Sequence, residues 1–248
     1  MTEHAFLGGA PWYDALSGGE KRIARERPFL LRALSGAPST RVLDLACGTG
    51  IHALFFAEHG ADVTACDLSP EMVRQARAAR PHPRIIYEVA DMRTPPAGPF
   101  GLALCLGNSL SLLPERDDLH ACFKNTAAVL APDGCFVLQL LNYANPALRE
   151  PRQRTETAQF EGGEVLAQKT FTPGVDRTTL LLEYTVKRPG EAEQITVETV
   201  QLSHWSLEDL RDAAHAGRLA VEMVQGAFDG TSYDPESSND LILLLRRV

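Results

Sequence analysis

The sequence predicts an α/β protein: a doubly wound, mostly parallel sheet of seven strands with an antiparallel last strand and an inserted antiparallel β cap. Three observations carry that expectation. Across residues 41–143, short β-rich runs alternate with helical patterns over tight loops, as a parallel sheet covered on both faces requires. The first run ends in a glycine loop, Cys47-Gly48-Thr49-Gly50, that turns straight into a helix. Beyond Pro146 the texture changes to long Thr/Val/Leu-rich runs separated by Pro-Gly and Gly-rich turns.

Each element follows from its own residues. Residues 20–34 read as a helix led by an aromatic turn, Trp12-Tyr13, so that 1–40 form an N-terminal helical lid. Residues 41–46 form the first strand, 51–60 a helix closed by Gly60, and 61–66 the second strand. Ser69-Pro70-Glu71 opens the next helix, with Ser as cap, Pro at the first position and an acid behind it. Further strands are expected at 84–89, 100–106 and 135–141, with a helix over about 115–130 before the last. The cofactor-binding core is therefore 41–145. Residues 157–172, 177–187 and 193–203 supply the strands of a cap over 155–203, inserted and not independent. Ser206-Leu207-Glu208-Asp209 opens a helix ending near Gly217; with strands at 219–225 and 240–247 it completes the sheet in 204–248. The 248 residues make one domain.

Composition removes several function classes. A net charge of −8 argues against a surface that follows a phosphate backbone, so no nucleic-acid partner is expected. No apolar run reaches the roughly 20 residues of a membrane span, and the N-terminus lacks a signal peptide's basic start and apolar middle. The five cysteines are scattered, odd in number and without a CxxC pair, which suits reduced core thiols in the cytoplasm. No metal-ligand spacing occurs among the histidines. Composition leaves the oligomeric state open.

In a doubly wound sheet the ligand lies outside the carboxyl ends of the strands. Gly48-Thr49-Gly50-Ile51-His52-Ala53 satisfies the dinucleotide pattern G-x-G-x-x-A, which would suit a nicotinamide-dependent oxidoreductase. A pyrophosphate there would meet the carboxylate of Asp44, which opposes the helix N-terminus that should attract it. S-adenosylmethionine carries a sulfonium and an ammonium group instead of phosphates, and both favour a nearby acid. Asp67, ending the second strand, can accept both ribose hydroxyls. Asp91-Met92, after the third, can set a carboxylate on the adenine amino group and a thioether on its face.

VLDLACGTG, CDLSPEMV, ADMR, LGNSLSLLP and LAPDGCFVLQLLNY, in that order over about residues 40–145, resemble a class I S-adenosylmethionine-dependent methyltransferase. GNSLSLLP with Asn142-Tyr143 resembles, more narrowly, the glycine/sarcosine N-methyltransferase group and related small-molecule enzymes. The resemblance implies a Rossmann-like fold and cofactor binding by Asp44, Gly48, Gly50, Asp67, Leu68, Asp91, Met92 and the Leu106-Gly107-Asn108 turn. Ala46 stands at the loop's first glycine position. Leu140-Leu141 stand where the glycine enzymes carry a basic His-Arg pair, which bears against a free amino acid as acceptor.

Tyr13 is a candidate aromatic lid over the cofactor. Asn108, Ser109, Asn142, Tyr143, His204, Trp205 and Tyr233 are the substrate-side candidates, each with turn, cap or core packing as its rival role. Methyl transfer needs alignment and exclusion of water more than a covalent nucleophile, so no catalytic base is named. The expected activity is transfer to a small-molecule amine, glycine/sarcosine-like or an amino sugar. An O- or C-methyltransferase of a secondary metabolite is the alternative, with the oxidoreductase behind it and a non-catalytic cofactor-binding regulator as a third class.

Overall fold

The structure is a computed structural model and describes residues 12–160 and 162–248. The part of the expected lid before Trp12 lies outside the described residues.

Seven strands form the main sheet: β1 (Arg41–Leu45), β2 (Asp62–Asp67), β3 (Ile85–Val89), β4 (Phe100–Cys105), β5 (Leu130–Leu141), β10 (Leu219–Gln225) and β11 (Asp240–Arg247). Their order is β10-β11-β5-β4-β1-β2-β3, and only β11 runs antiparallel to its neighbours. Side chains of a strand alternate between faces, and in the central strands β1, β4 and β5 both faces are buried. Leu43 and Leu45 of β1 enter one apolar cluster, and Val42 enters the other. Helices α5 (Arg116–Val129) and α6 (Leu207–Ala216) cover the first face through Leu119, Phe123, Leu210 and Ala213. Helices α2 (Gly19–Ser35), α3 (Ile51–Glu58) and α4 (Pro70–Ala79) cover the second through Leu30, Phe56 and Val73. Double coverage is why the strands read as continuous apolar runs. The expected caps form: Ser69 Oγ accepts the Met72 N–H at 3.3 Å, and Ser206 makes a reciprocal box with Asp209.

Two boundaries differ from the sequence expectation. Strand β5 begins at Leu130, because Leu130 pairs with Phe100 and the ladder resumes at Cys135 opposite Leu102. Residues 131–134 bulge between those pairs, with Asp133 at φ 58°, and so look like a turn in sequence. The run 157–172 is two strands, β6 (Arg152–Phe160) and β7 (Gly163–Pro173), paired antiparallel with Phe160 opposite Gly163. Gly162-Gly163 was the hairpin signal, and Gly162 sits at φ 89°. With β8 (Arg177–Lys187) and β9 (Gln194–Ser203) they form a separate antiparallel sheet in chain order.

The cap faces the carboxyl ends of the main strands. Its exit is pinned to the loop after β4, where Ser203 Oγ donates to the Leu113 carbonyl at 2.8 Å and Trp205 Nε1 to the Leu110 carbonyl at 3.0 Å. No described helix is long and apolar enough to cross a membrane.

Candidate functional site

The chain leaves β1 toward β2 and β3 on one side, and β4 lies on the other. The loops after β1 and β4 therefore diverge and open a crevice at the switch point. Together with the inner face of the cap they enclose a cavity of about 1200 Å³. A single ligand pocket is commonly about 300–1,000 Å³, so this chamber suits two ligands side by side.

The loop after β1 is built on left-handed residues. Gly48 has φ 54° and Gly50 φ 81°, and Ala46 takes φ 52° although it carries a Cβ. An L-residue costs about 1–2 kcal/mol there and glycine's extra chain entropy returns part of it, so Ala46→Gly is expected to stabilise the fold by about 0.5–1 kcal/mol in urea unfolding. The Gly48 N–H donates to Oδ2 of Asp67 at 2.9 Å, and the Ser69 N–H donates to its Oδ1 at 2.9 Å. One carboxylate thus locks the loop after β1 to the loop after β2. A Cβ on Gly48 would meet only the Tyr13 ring, at 3.9 Å, so its backbone angle is the constraint there.

Asp44 lies beneath this loop at 2 % exposure, and its Oδ2 has no hydrogen-bond partner among the described residues. Burial pushes its carboxyl up to about 6 against the pull of His52 and Arg22, while Asp67 adds to the rise. Burial also opposes ionisation of Asp91, but the Arg93 guanidinium and N–H outweigh it and hold that carboxyl below the usual range. Helix α1 (Tyr13–Ser17) closes the crevice. Asp14 bonds Thr49 Oγ1 and, at 2.7 Å, Arg80; Trp12 packs on Phe160 of the cap at 4.3 Å.

Of the expected cofactor residues, Tyr13, Ala46, Gly48 and Asp67 line the cavity, as do Leu68, Asp91, Met92 and Asn108. Asp44, Gly50 and Leu106 do not. Gly50 instead begins α3 against Tyr87, and Leu106 belongs to the apolar cluster behind the sheet.

Of the substrate-side candidates, Asn108 and Ser109 reach the cavity. The Asn108 amide is already engaged, its Oδ1 accepting from Leu141 N–H and Ser111 Oγ and its Nδ2 donating to the Tyr143 hydroxyl. The other five, Asn142, Tyr143, His204, Trp205 and Tyr233, do not line the cavity and bond to the protein's own groups. The Asn142 amide donates to the Pro235 and Ser238 carbonyls and accepts the Tyr233 hydroxyl at 2.9 Å. Tyr143 is buried and stacks on His204 at 4.2 Å. His204 also bonds Thr178, and Trp205 is held by Leu110.

Sequence reasoning missed the cavity's cations and its cap wall. Arg22 of α2 lines the cavity and turns the edge that carries its two terminal nitrogens toward Gly107, whose hypothetical Cβ would sit 3.2 Å from each of them. Arg22 and Glu26 look in sequence like an ordinary i,i+4 surface pair, so no local signal marked them. The cap contributes Leu180, Leu182, Phe171 and Val200 as an apolar wall, with Tyr184, Glu198 and the pair Lys169–Glu156 at 2.6 Å. Among the described residues no group of three or more side chains could hold a metal, and all five cysteines are free and buried.

A family model described as a methyltransferase domain matches residues 42–134. The chain is 30% identical to glycine N-methyltransferase of Rattus norvegicus over 53% of this chain and 50% of that protein. It is 26% identical to glycine N-methyltransferase of Homo sapiens over 88% of this chain and 79% of that protein. The chain thus spans about half the length of the rat relative. Among solved structures, an S-adenosylmethionine-dependent methyltransferase from Clostridium acetobutylicum superposes with a TM-score of 0.80 at 20% identity, covering 98% of each chain. An amino pentose methyltransferase from Micromonospora echinaspora superposes with a TM-score of 0.71 at 20% identity, covering 100% of this chain and 98% of that one.

Proposed function

Since the chain belongs to the class I S-adenosylmethionine-dependent methyltransferases, we propose that it methylates a small-molecule amine larger than glycine, held against the inner face of the cap. The observation that carries this reading is the single cavity of about 1200 Å³ shared by the core loops and the cap wall. A glycine-sized acceptor would leave most of the cap side wet, whereas an amino sugar or a comparable amine fills it. Glu156, paired with Lys169, and Glu198 put carboxylates on that wall, which suits an amine better than an acid.

The donor supplies the methyl group on a sulfonium that leaves as a neutral thioether. The residues present fit it. Asp67 at the end of β2, held in place by the Gly48 and Ser69 N–H groups, takes the ribose hydroxyls. Asp91 and Met92 bound the adenine. Arg22 beside Gly107 receives the carboxylate of the amino-acid end. Buried Asp44, one of whose oxygens has no hydrogen-bond partner among the described residues, supplies a negative field for the donor's cationic groups. Tyr13 and α1 shut the chamber, and the apolar wall excludes water while the acceptor nitrogen is aligned. A neutral amine is the reacting form, and Ser109 Oγ, which donates to the Leu106 carbonyl, keeps lone pairs that can orient its N–H.

Asp67→Ala tests the donor half. It is expected to lower affinity for S-adenosylhomocysteine by about 1.5–3 kcal/mol per charge-assisted bond lost, read by calorimetry. For the acceptor half, purified protein with S-adenosylmethionine is given glycine, sarcosine and a set of amino sugars, and methylated products are weighed. Amino-sugar product without glycine product is the expected result. Efficient methylation of glycine, or product only from phenols, would overturn the acceptor assignment.

A further inference from the structure

Behind the cavity, where α2 crosses α3, lies a buried hydrogen-bonded pair for which the proposed chemistry has no use. Glu26 is 1% exposed and His52 5% exposed. His52 Nε2 donates to Glu26 Oε2 at 2.7 Å, and Arg22 Nε donates to Glu26 Oε1 at 2.9 Å. Arg25 adds a longer contact of 3.7 Å to the same oxygen. Asp44 beneath the loop and Asp240 on β11 also act electrostatically on this group.

Burying a carboxylate this completely is costly, and one partner alone rarely repays the lost hydration. A surface i,i+4 pair on α2 would have needed neither the burial nor a histidine from another helix. The division of atoms shows what the arrangement does. Glu26 takes only the Nε of Arg22, and the terminal nitrogens are turned toward Gly107 at the cavity wall, where the guanidinium also meets Tyr13. His52 occupies the second oxygen of Glu26, so the carboxylate cannot swing round to cover those nitrogens. The wall opposite is fixed as well: the Gly107 N–H donates to Gln139 Oε1 at 2.8 Å, and Gln139 Nε2 donates to Asp240 at 2.7 Å.

We infer that Glu26 and His52 are positioning residues that orient Arg22 toward the carboxylate of the donor's amino-acid end. The inference rests on the proposed function, and specifically on Arg22 meeting that carboxylate. It distinguishes two ligands that share the nucleoside and the thioether. S-adenosylhomocysteine has the amino-acid end and 5′-methylthioadenosine does not.

The test is calorimetric affinity for both ligands in wild type, Arg22→Gln, Glu26→Gln, His52→Phe and His52→Gln. Glu26→Gln and His52→Phe are expected to lose about tenfold for S-adenosylhomocysteine and less than about twofold for 5′-methylthioadenosine. His52→Gln, which keeps a donor, is expected to recover much of the loss. Equal losses for both ligands, no loss for either, or variants that do not fold would make the pair merely structural and overturn the inference. An Arg22→Gln protein with unchanged affinity for S-adenosylhomocysteine would overturn it too, leaving the proposed function standing. Wild type that binds neither ligand would bring down the proposed function and the inference with it.

Discussion

Asp44→Asn is expected to make the protein more stable at neutral pH and a poorer binder of its donor. Asp44 ionises near 6 in the fold, because burial disfavours its charge more than His52 and Arg22 favour it. The unfolded chain ionises it near 4. A folded value above the unfolded one means that the native state binds the proton more tightly. Stability from this group is therefore complete below about pH 4, declines as pH rises through about 6, and is missing above that. The gap corresponds to about 3 kcal/mol at most. Asparagine carries no charge to bury, so the variant should gain about 2–3 kcal/mol at pH 8 and little at pH 4, measured by urea unfolding across that range. Binding should move the opposite way, because the cationic donor loses a negative neighbour. At pH 5.5 the wild type should release a proton on binding S-adenosylmethionine and the variant should not, which calorimetry in buffers of different ionisation enthalpy detects. A wild type whose stability does not change between pH 4 and 7 would refute the assignment.

Gly50→Ala is expected to be the most damaging small substitution in the loop. A Cβ there would lie 2.6 Å from the Tyr87 hydroxyl and 2.8 Å from the ring edge, on a residue at φ 81°. The left-handed backbone costs about 1–2 kcal/mol and the overpacking about 1–3 kcal/mol more, so a loss of about 2–5 kcal/mol is expected in chemical denaturation. Tyr87 is 6% exposed and its hydroxyl donates to the Arg80 carbonyl at 3.1 Å, so it has little room to retreat. Displacing it would disturb Arg80, which bonds both Thr49 and Asp14 and so helps hold α1 over the cavity. In a Tyr87→Phe background the cost of Gly50→Ala should shrink by about 1 kcal/mol, since the nearest atom is gone while the ring stays. Strict additivity of the two changes would mean that strain, and not contact, fixes glycine at this position.

Much of the architecture was legible because it depends on local patterns. Strands β1, β4 and β5 are buried on both faces and announce themselves as apolar runs, and Ser69-Pro70-Glu71 states a helix start outright. The acids at strand ends were readable for the same reason, since a loop after a parallel strand points to the crevice wherever the fold recurs. The division between β6 and β7 was lost in a Thr-rich run because neighbouring strands of one sheet share a composition. Arg22 and the cap wall were not legible, since nothing within α2 or β8 says which face the other half of the molecule will meet. Asn142, Tyr143, His204, Trp205 and Tyr233 show the converse limit. Polar and aromatic residues after a strand suggest a ligand, and here Tyr143 stacks on His204 at the joint of sheet and cap, Tyr233 bonds Asn142 between two loops of the main sheet, and Trp205 bonds the Leu110 carbonyl.

The place of β11 in the sheet sets the order in which the molecule can assemble. Residues 240–247 lie between β5 and β10 and bond to both. During synthesis at the ribosome, β5 is made about a hundred residues before its neighbour, and until then it presents an unpaired edge of Phe136, Leu138 and Leu140. Strand β10 has no sheet to join at all until β11 bridges the gap. The nascent chain must therefore carry an open, sticky margin through the whole production of the cap. Closure is then one late, long-range event, in which a segment slots between two waiting strands instead of extending an outer one. A protein assembled in this order is more exposed to chaperones and to self-association while it is being made than its finished, edge-protected form suggests.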